Sequence, residues 1–169
     1  MFECEHISVE LFGDKGSFCA VSDASICAQE HEIVDIVGPS GAGKSTFLHA
    51  LALLIDRTSG TLKLDGRESC QFTPQEWRRQ VALVQQKPAL LEGTIEENLY
   101  FPWELKLYKN VALPSSAELE ELKNRAGLQD VELTRPISQL SVGQQARVAF
   151  MRTLITHPRI LLLDEVDAA

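Results

Sequence analysis

The stretch GPSGAGKST, residues 38 to 46, constrains this chain more than any other. Gly38, Gly41 and Gly43 let the backbone curl so that successive N–H groups point inward. A helix opening directly behind them adds the positive end of its dipole, and the two together make an anion site. Lys44 supplies a point charge for the outer phosphates of a ligand. Ser45 places a hydroxyl where it can ligate Mg²⁺. Such a loop is expected to follow a strand and to open a helix. The segment EIVDIVG (32–38) reads as a short buried strand ending in glycine, and Ser45 to Ile55, rich in Ala and Leu, reads as a helix. Asp35 is an unusual member of that strand, expected at a sheet margin or paired. An ordinary glycine-rich turn would not carry this flanking order.

The far end of the chain supplies the complementary chemistry. RILLLD (159–164) reads as a buried strand running into Asp164 and Glu165. In open α/β sheets ligands bind at the carboxyl ends of the strands. A neighbouring parallel strand would therefore deliver Asp164 beside the loop, facing the metal through water. Glu165, one position on, points elsewhere and is placed to polarise an attacking water. Between the two ends, TSGTLKLDGRE (58–68) reads as strands and turns. TPQEW (73–77) starts a helix, with Thr73 as N-cap, Pro74 in the first turn and Glu76 closing a capping box. QVALVQQ (80–86) is another strand. Thr94 to Arg135 is mostly helical in pattern, broken near Pro102 and Pro114, with an amphipathic helix over 116–128. QQARVAFMRTLI (144–155) is a further helix. Strands alternating with helices indicate an α/β fold with a largely parallel core sheet.

Composition narrows the function. A formal net charge of −8 argues against a protein that clamps nucleic-acid backbones, so no nucleic-acid partner is expected. The four cysteines, Cys4, Cys19, Cys27 and Cys70, form no C-x-x-C pair and have no histidine at zinc spacing, so they read as reduced thiols. The N-terminus MFECEHISVE is acidic and lacks a secretory h-region. The longest nearly apolar run, FLHALALLI (47–55), is too short to span a bilayer, which needs about 20 residues. The expectation is a soluble chain in a reducing cytosol.

Four motifs, in order, resemble the nucleotide-binding subunit of the ABC (ATP-binding cassette) ATPases. GPSGAGKST is similar to the Walker A motif of P-loop NTPases. VALVQQKP (81–88) resembles the Q-loop, with the functional glutamine at Gln86 rather than Gln85. LSVGQQARVAFMR (140–152) resembles the LSGGQ signature and its helix, and ILLLDE (160–165) resembles Walker B with its glutamate. The resemblance covers nearly the whole chain. It implies a single cassette over 1–169, with an N-terminal antiparallel β portion and an inserted helical subdomain at about 87–140. It implies that Gly38, Pro39, Ser40, Gly41, Ala42, Gly43, Lys44, Ser45 and Thr46 hold ATP, that Ser45, Gln86 and Asp164 surround Mg²⁺, and that Glu165 is the general base. It also implies a head-to-tail homodimer in which Ser141, Gly143 and Gln144 of one copy close over the ATP of the other. A polytopic membrane permease completes the assembly, placing the cassette on the inner face of the cell membrane. The FPW triplet (101–103) further resembles small bacterial ATPases of iron or metal export, unless Phe101 and Trp103 are local core packing.

The chain also departs from the family. Val142 stands where glycine is usual in the signature, and the expectation is that it is tolerated. The adenine-stacking aromatic is not clear; Phe12 is a weak candidate. Val166 replaces a proline after Walker B, the D-loop is incomplete and the switch histidine is absent, so the sequence reads as C-terminally truncated. A module that holds ATP without turnover is therefore the alternative to an active ATPase. A soluble ABC protein of DNA repair or translation fits less well, since the stretch between Gln86 and Leu140 shows no sustained heptads.

Overall fold

A computed structural model describes residues 1–13, 16–85, 87 and 89–164. It divides into two compact units, Met1–Leu83 and Val84–Ala169.

The first unit is built on a four-stranded antiparallel sheet in the order β2-β1-β3-β4. Its strands are β1 (Phe2–Gly13), β2 (Gly16–Ala28), β3 (Ser59–Leu64) and β4 (Arg67–Glu68). The buried residues of β1 explain its shape. Phe2 and Cys4 alternate as a one-faced strand should, but the next buried pair is Ile7 and Val9. That set changes parity, and a strand with strict period two could not keep both pairs on one face. A register shift between Cys4 and Ile7 supplies the extra residue, and His6 takes a left-handed φ of 56° there. Leu62 and Leu64 of β3 are buried with them, as are Phe47, Leu48 and Leu51 of helix α1 (Lys44–Leu51) and Trp77 of α2 (Pro74–Gln80). Trp77 packs against Phe2 with the rings tilted and 6.3 Å apart, and its indole N–H donates to the Leu51 carbonyl at 2.8 Å. Helix α2 starts as read: Thr73 caps it, and Glu76 returns a bond to the Thr73 amide at 2.8 Å.

Two local expectations fail in this unit. The apolar run after Ser45 does not stay helical to Ile55. Leu53 adopts φ 53°, a left-handed conformation that ends the helix, and its carbonyl accepts from Arg78 at 3.0 Å. The segment 32–38 forms no strand, and Ile33 and Val37 are 90% and 88% exposed. Strand status requires a ladder partner. Among the described residues this segment has none, whatever its hydrophobicity.

The second unit is mainly helical. It contains α3 (Ile95–Tyr100), α4 (Ser116–Arg125), α5 (Val142–Leu154) and strand β6 (Ile160–Leu163). Strand β5 (Val81–Val84) ends in this unit and is the sheet neighbour of β6. The Asp164 amide donates to the Val84 carbonyl at 3.1 Å, so the residue after β6 is pinned beside the end of β5. Ile95 and Leu99 of α3, Leu119 of α4, and Val148, Met151 and Ile155 on and after α5 form one apolar core with Leu128, Val131, Ile137 and Leu140. The break expected at Pro102 is a pair of short 3₁₀ turns over 101–104 and 106–108. Trp103 packs on Tyr108 at 5.6 Å and donates to the Ala112 carbonyl at 2.9 Å, so this aromatic is local packing rather than an open patch.

Candidate nucleotide site

In the first unit the loop 38–46 curls before α1. The Ala42 amide donates to the Pro39 carbonyl at 3.2 Å, and Gly41 and Gly43 sit at φ 79° and 88°, where a side chain is strained. Gly43 is the N-cap of α1, and the Phe47 amide bonds its carbonyl at 2.8 Å to open the helix. A Cβ on Gly43 would lie 2.1 Å from the Ala20 carbonyl oxygen, so that position must be glycine for contact as well as for φ. Gly43, having no side chain, offers no cap bond of its own to α1. The Lys44 ammonium folds back over the loop, donating to the Gly38 and Pro39 carbonyls at 2.9 and 3.1 Å. Gly38 to Ala42 and Ser45 are exposed and Thr46 is half-buried, so the loop is open to a ligand. An ammonium held by two neutral carbonyls can exchange them for phosphate oxygens, which are the stronger acceptors.

In the second unit the signature residues gather at the start of α5. The Ser141 hydroxyl accepts from the Gln144 amide at 3.2 Å, and the Gln144 side-chain oxygen accepts from the Ser141 amide at 2.9 Å. This is a complete capping box, so the helix begins at Val142, earlier than the run from Gln144 suggested. Val142 is its first residue, 70% exposed, with no positive φ. A branched side chain fits there without backbone strain, which accounts structurally for the departure from glycine. A Cβ on Gly143 would meet nothing within 4 Å. Asp164 is 8% exposed at the end of β6. Gln86 and Glu165, the expected metal-shell glutamine and general base, lie outside the described residues. The structure thus assembles the phosphate loop in one unit, and the signature and Asp164 in the other. Phe12 is 87% exposed and pairs with Ser17, next to where β1 ends at Gly13 and β2 begins at Gly16.

Sequence reasoning gave no role to Asn98 or Arg152, which form a polar cluster within the second unit. Asn98 is 1% exposed, and its amide group bonds both the amide and the carbonyl of Leu91, at 2.9 and 3.0 Å. Arg152 of α5 reaches the Ala89 carbonyl at 2.6 Å, and burial lowers its guanidinium from the usual value. The only hint in the sequence was an asparagine inside a helix, where that residue is disfavoured. A separate cavity of about 470 Å³ between α4 and α5, lined by Leu122, Met151 and Leu154 among others, holds none of the expected site residues.

Comparison with known proteins fits this geometry. The profile of the ABC transporter family matches residues 21–168. The chain belongs to the ABC transporter family. It is 40% identical over 134 residues to the probable iron export ATP-binding protein FetA of Escherichia coli, covering 79% of this chain and 58% of that protein. It is 39% identical over 162 residues to the spermidine/putrescine import ATP-binding protein PotA of Chromobacterium violaceum, covering 93% of this chain and 42% of that one. The chain therefore spans about half the length of these relatives. Among solved structures, a dimeric post-hydrolysis state of the ATP-binding cassette MJ0796, bound to ADP and Pi, superposes with a TM-score of 0.84. That alignment is 28% identical and covers all of this chain and 75% of the other. The fold is that of an ABC cassette, a P-loop architecture with an antiparallel N-terminal sheet and a parallel one. No helix among the described residues is long and apolar enough to cross a membrane.

Proposed function

We propose that this chain is the ATP-binding and ATP-hydrolysing part of a membrane transporter, working by nucleotide-driven pairing of two cassettes. The observation that carries the reading is the loop 38–46: curled glycines, a helix start whose N-cap is a glycine, and a lysine resting on replaceable carbonyls. Its residues bind and orient the triphosphate. Ser45 and Asp164 offer the hard oxygen donors that suit Mg²⁺, with Gln86 a third, and the metal would neutralise charge on the phosphates. Glu165 takes the proton of the attacking water. The exposed start of α5, with Ser141, Gly143 and Gln144, closes over the nucleotide of a second copy arranged head to tail. ATP then holds the two copies together, and its hydrolysis releases them. A polytopic permease on the inner face of the membrane receives that motion.

For the cargo, iron or another metal ion exported from the cell is the first to test, supported by the 40% identity to FetA and by the FPW triplet. Import ATPases such as PotA are matched at similar identity, so the energy-supplying role is the better supported part. The decisive experiment is phosphate release from Mg-ATP by this chain beside its Glu165→Gln variant. Turnover that disappears in the variant supports the reading. Nucleotide binding without phosphate release by either would return the alternative, a module that holds ATP. For the cargo, permease-containing vesicles should show ATP-dependent flux of radioiron; flux of a polyamine instead would overturn metal export.

A further inference from the structure

The polar cluster around Asn98 holds a stretch of backbone between β5 and α3. Residues 89–91 have no regular secondary structure. The Asn98 side-chain oxygen accepts from the Leu91 amide at 2.9 Å, and its NH₂ donates to the Leu91 and Thr94 carbonyls, each at 3.0 Å. Arg152 completes the arrangement, donating through one nitrogen to the Ala89 carbonyl at 2.6 Å and through another to the Asn98 oxygen at 3.4 Å. A guanidinium fork reaches two acceptors at once, which an ammonium cannot reproduce in the same geometry. The Arg152–Ala89 bond is open to solvent and those of Asn98 are partly buried, so the cost of breaking them falls mainly on the Asn98 side chain, which is itself buried and would be left short of partners. Arg152 lies about three turns along α5 from Ser141. Over that distance a helix is a rigid lever, so holding its far end sets the position of its start.

We infer that Arg152 is a positioning residue: with Asn98 it latches residues 89–91 to the helix that presents Ser141, Gly143 and Gln144, and this latch is needed for turnover but not for nucleotide binding. The inference rests on the hydrolytic reading above. It is tested with Arg152→Met, which keeps an apolar stem and removes the donors, and Arg152→Lys, which keeps the charge and one short bond. Phosphate release, the equilibrium affinity for Mg-ATP, the thermal midpoint and amide hydrogen exchange are read on each chain. In Arg152→Met turnover should fall at least tenfold while the affinity stays within twofold, and the Leu91 amide should exchange at least tenfold faster. Arg152→Lys should recover a measurable part of the turnover. Wild-type turnover in Arg152→Met would overturn the inference, as would a parallel fall of affinity, turnover and thermal midpoint, the mark of a residue that only supports the fold. Should the unmodified chain bind ATP but release no phosphate, the hydrolytic reading fails and takes the turnover claim with it. The latch itself is then judged on Leu91, and unchanged exchange in Arg152→Met removes it.

Discussion

Helices α1 and α5 both start at a glycine-containing motif assigned to nucleotide, yet they are finished in opposite ways. Helix α1 begins behind Gly43 in a left-handed conformation, an N-cap with no side chain to offer. Helix α5 begins behind Ser141, and Ser141 and Gln144 close a reciprocal pair of bonds over its first turn. The difference teaches which end is built around an outside acceptor. At α1 the N-cap is a glycine with a lysine beside it, and under the proposed function a phosphate oxygen takes the role of cap. At α5 the chain already provides the oxygen, so in the proposed head-to-tail pair a second copy's nucleotide would share or displace Ser141. Under the proposed function the first end is the primary binding site, and the second, closed by its own side chains, is recruited when two copies meet.

The sharpest way to break this comparison is to make the same change at both helix starts. Gly43→Ala places a Cβ 2.1 Å from the Ala20 carbonyl and strains φ 88°. It should abolish detectable ATP binding and lower stability by about 2–4 kcal/mol in chemical denaturation. Gly143→Ala meets nothing within 4 Å and has no positive φ to strain. It should leave single-chain ATP affinity unchanged and be neutral or stabilising by up to about 1 kcal/mol. Equal losses at the two sites would erase the distinction. Next in size, Lys44→Ala should weaken ATP affinity or turnover at least tenfold, about 1.4 kcal/mol, by nucleotide titration and phosphate release. Ser141→Ala should cost about 1 kcal/mol in thermal unfolding through the lost cap while single-chain ATP affinity holds. A weakened affinity there would place the signature in its own subunit's site.

The smallest effect concerns pH. Helices α2 and α3 close their capping boxes with Glu76 and Glu97, whose carboxyls are held below the ordinary range chiefly by the Thr73 and Thr94 backbone amides. A lowered folded pKa stabilises above the unfolded value, and that contribution fades as pH falls from about 4.5 through the lowered value. Helix α5 closes its box with neutral Gln144 and has no such titration. Amide NMR on acidification should show the Thr73 and Thr94 signals moving before those of Ser141.

What the sequence made legible was whatever depends on near neighbours. The box from Thr73 to Glu76 and the loop GPSGAGKST are each written within a few residues, and both are present. Features set by distant partners were not readable. The change of buried parity in β1 depends on pairing with β2 across a bulge at His6. The end of α1 depends on Leu53 turning left-handed, inside a run whose composition alone favours more helix. EIVDIVG has the hydrophobicity of a strand, but pairing is decided by another segment, and Ile33 and Val37 stay exposed. The same limit applies to the site. Ser141 and Gln144 were expected from the resemblance of LSVGQQ to the family signature, whereas Asn98 and Arg152 drew no expectation because their bonds run to the carbonyls of Leu91 and Ala89.

The account stands or falls on where the triphosphate sits. Titrating Mg-ATP into the isotopically labelled chain and following every backbone amide tests this most directly. The largest shifts should fall on Gly41 to Thr46 and vanish in Lys44→Ala, with Ser141 to Gln144 unmoved at concentrations where the chain is monomeric. Saturable binding that shifts other amides and leaves Gly41 to Thr46 in place would contradict it.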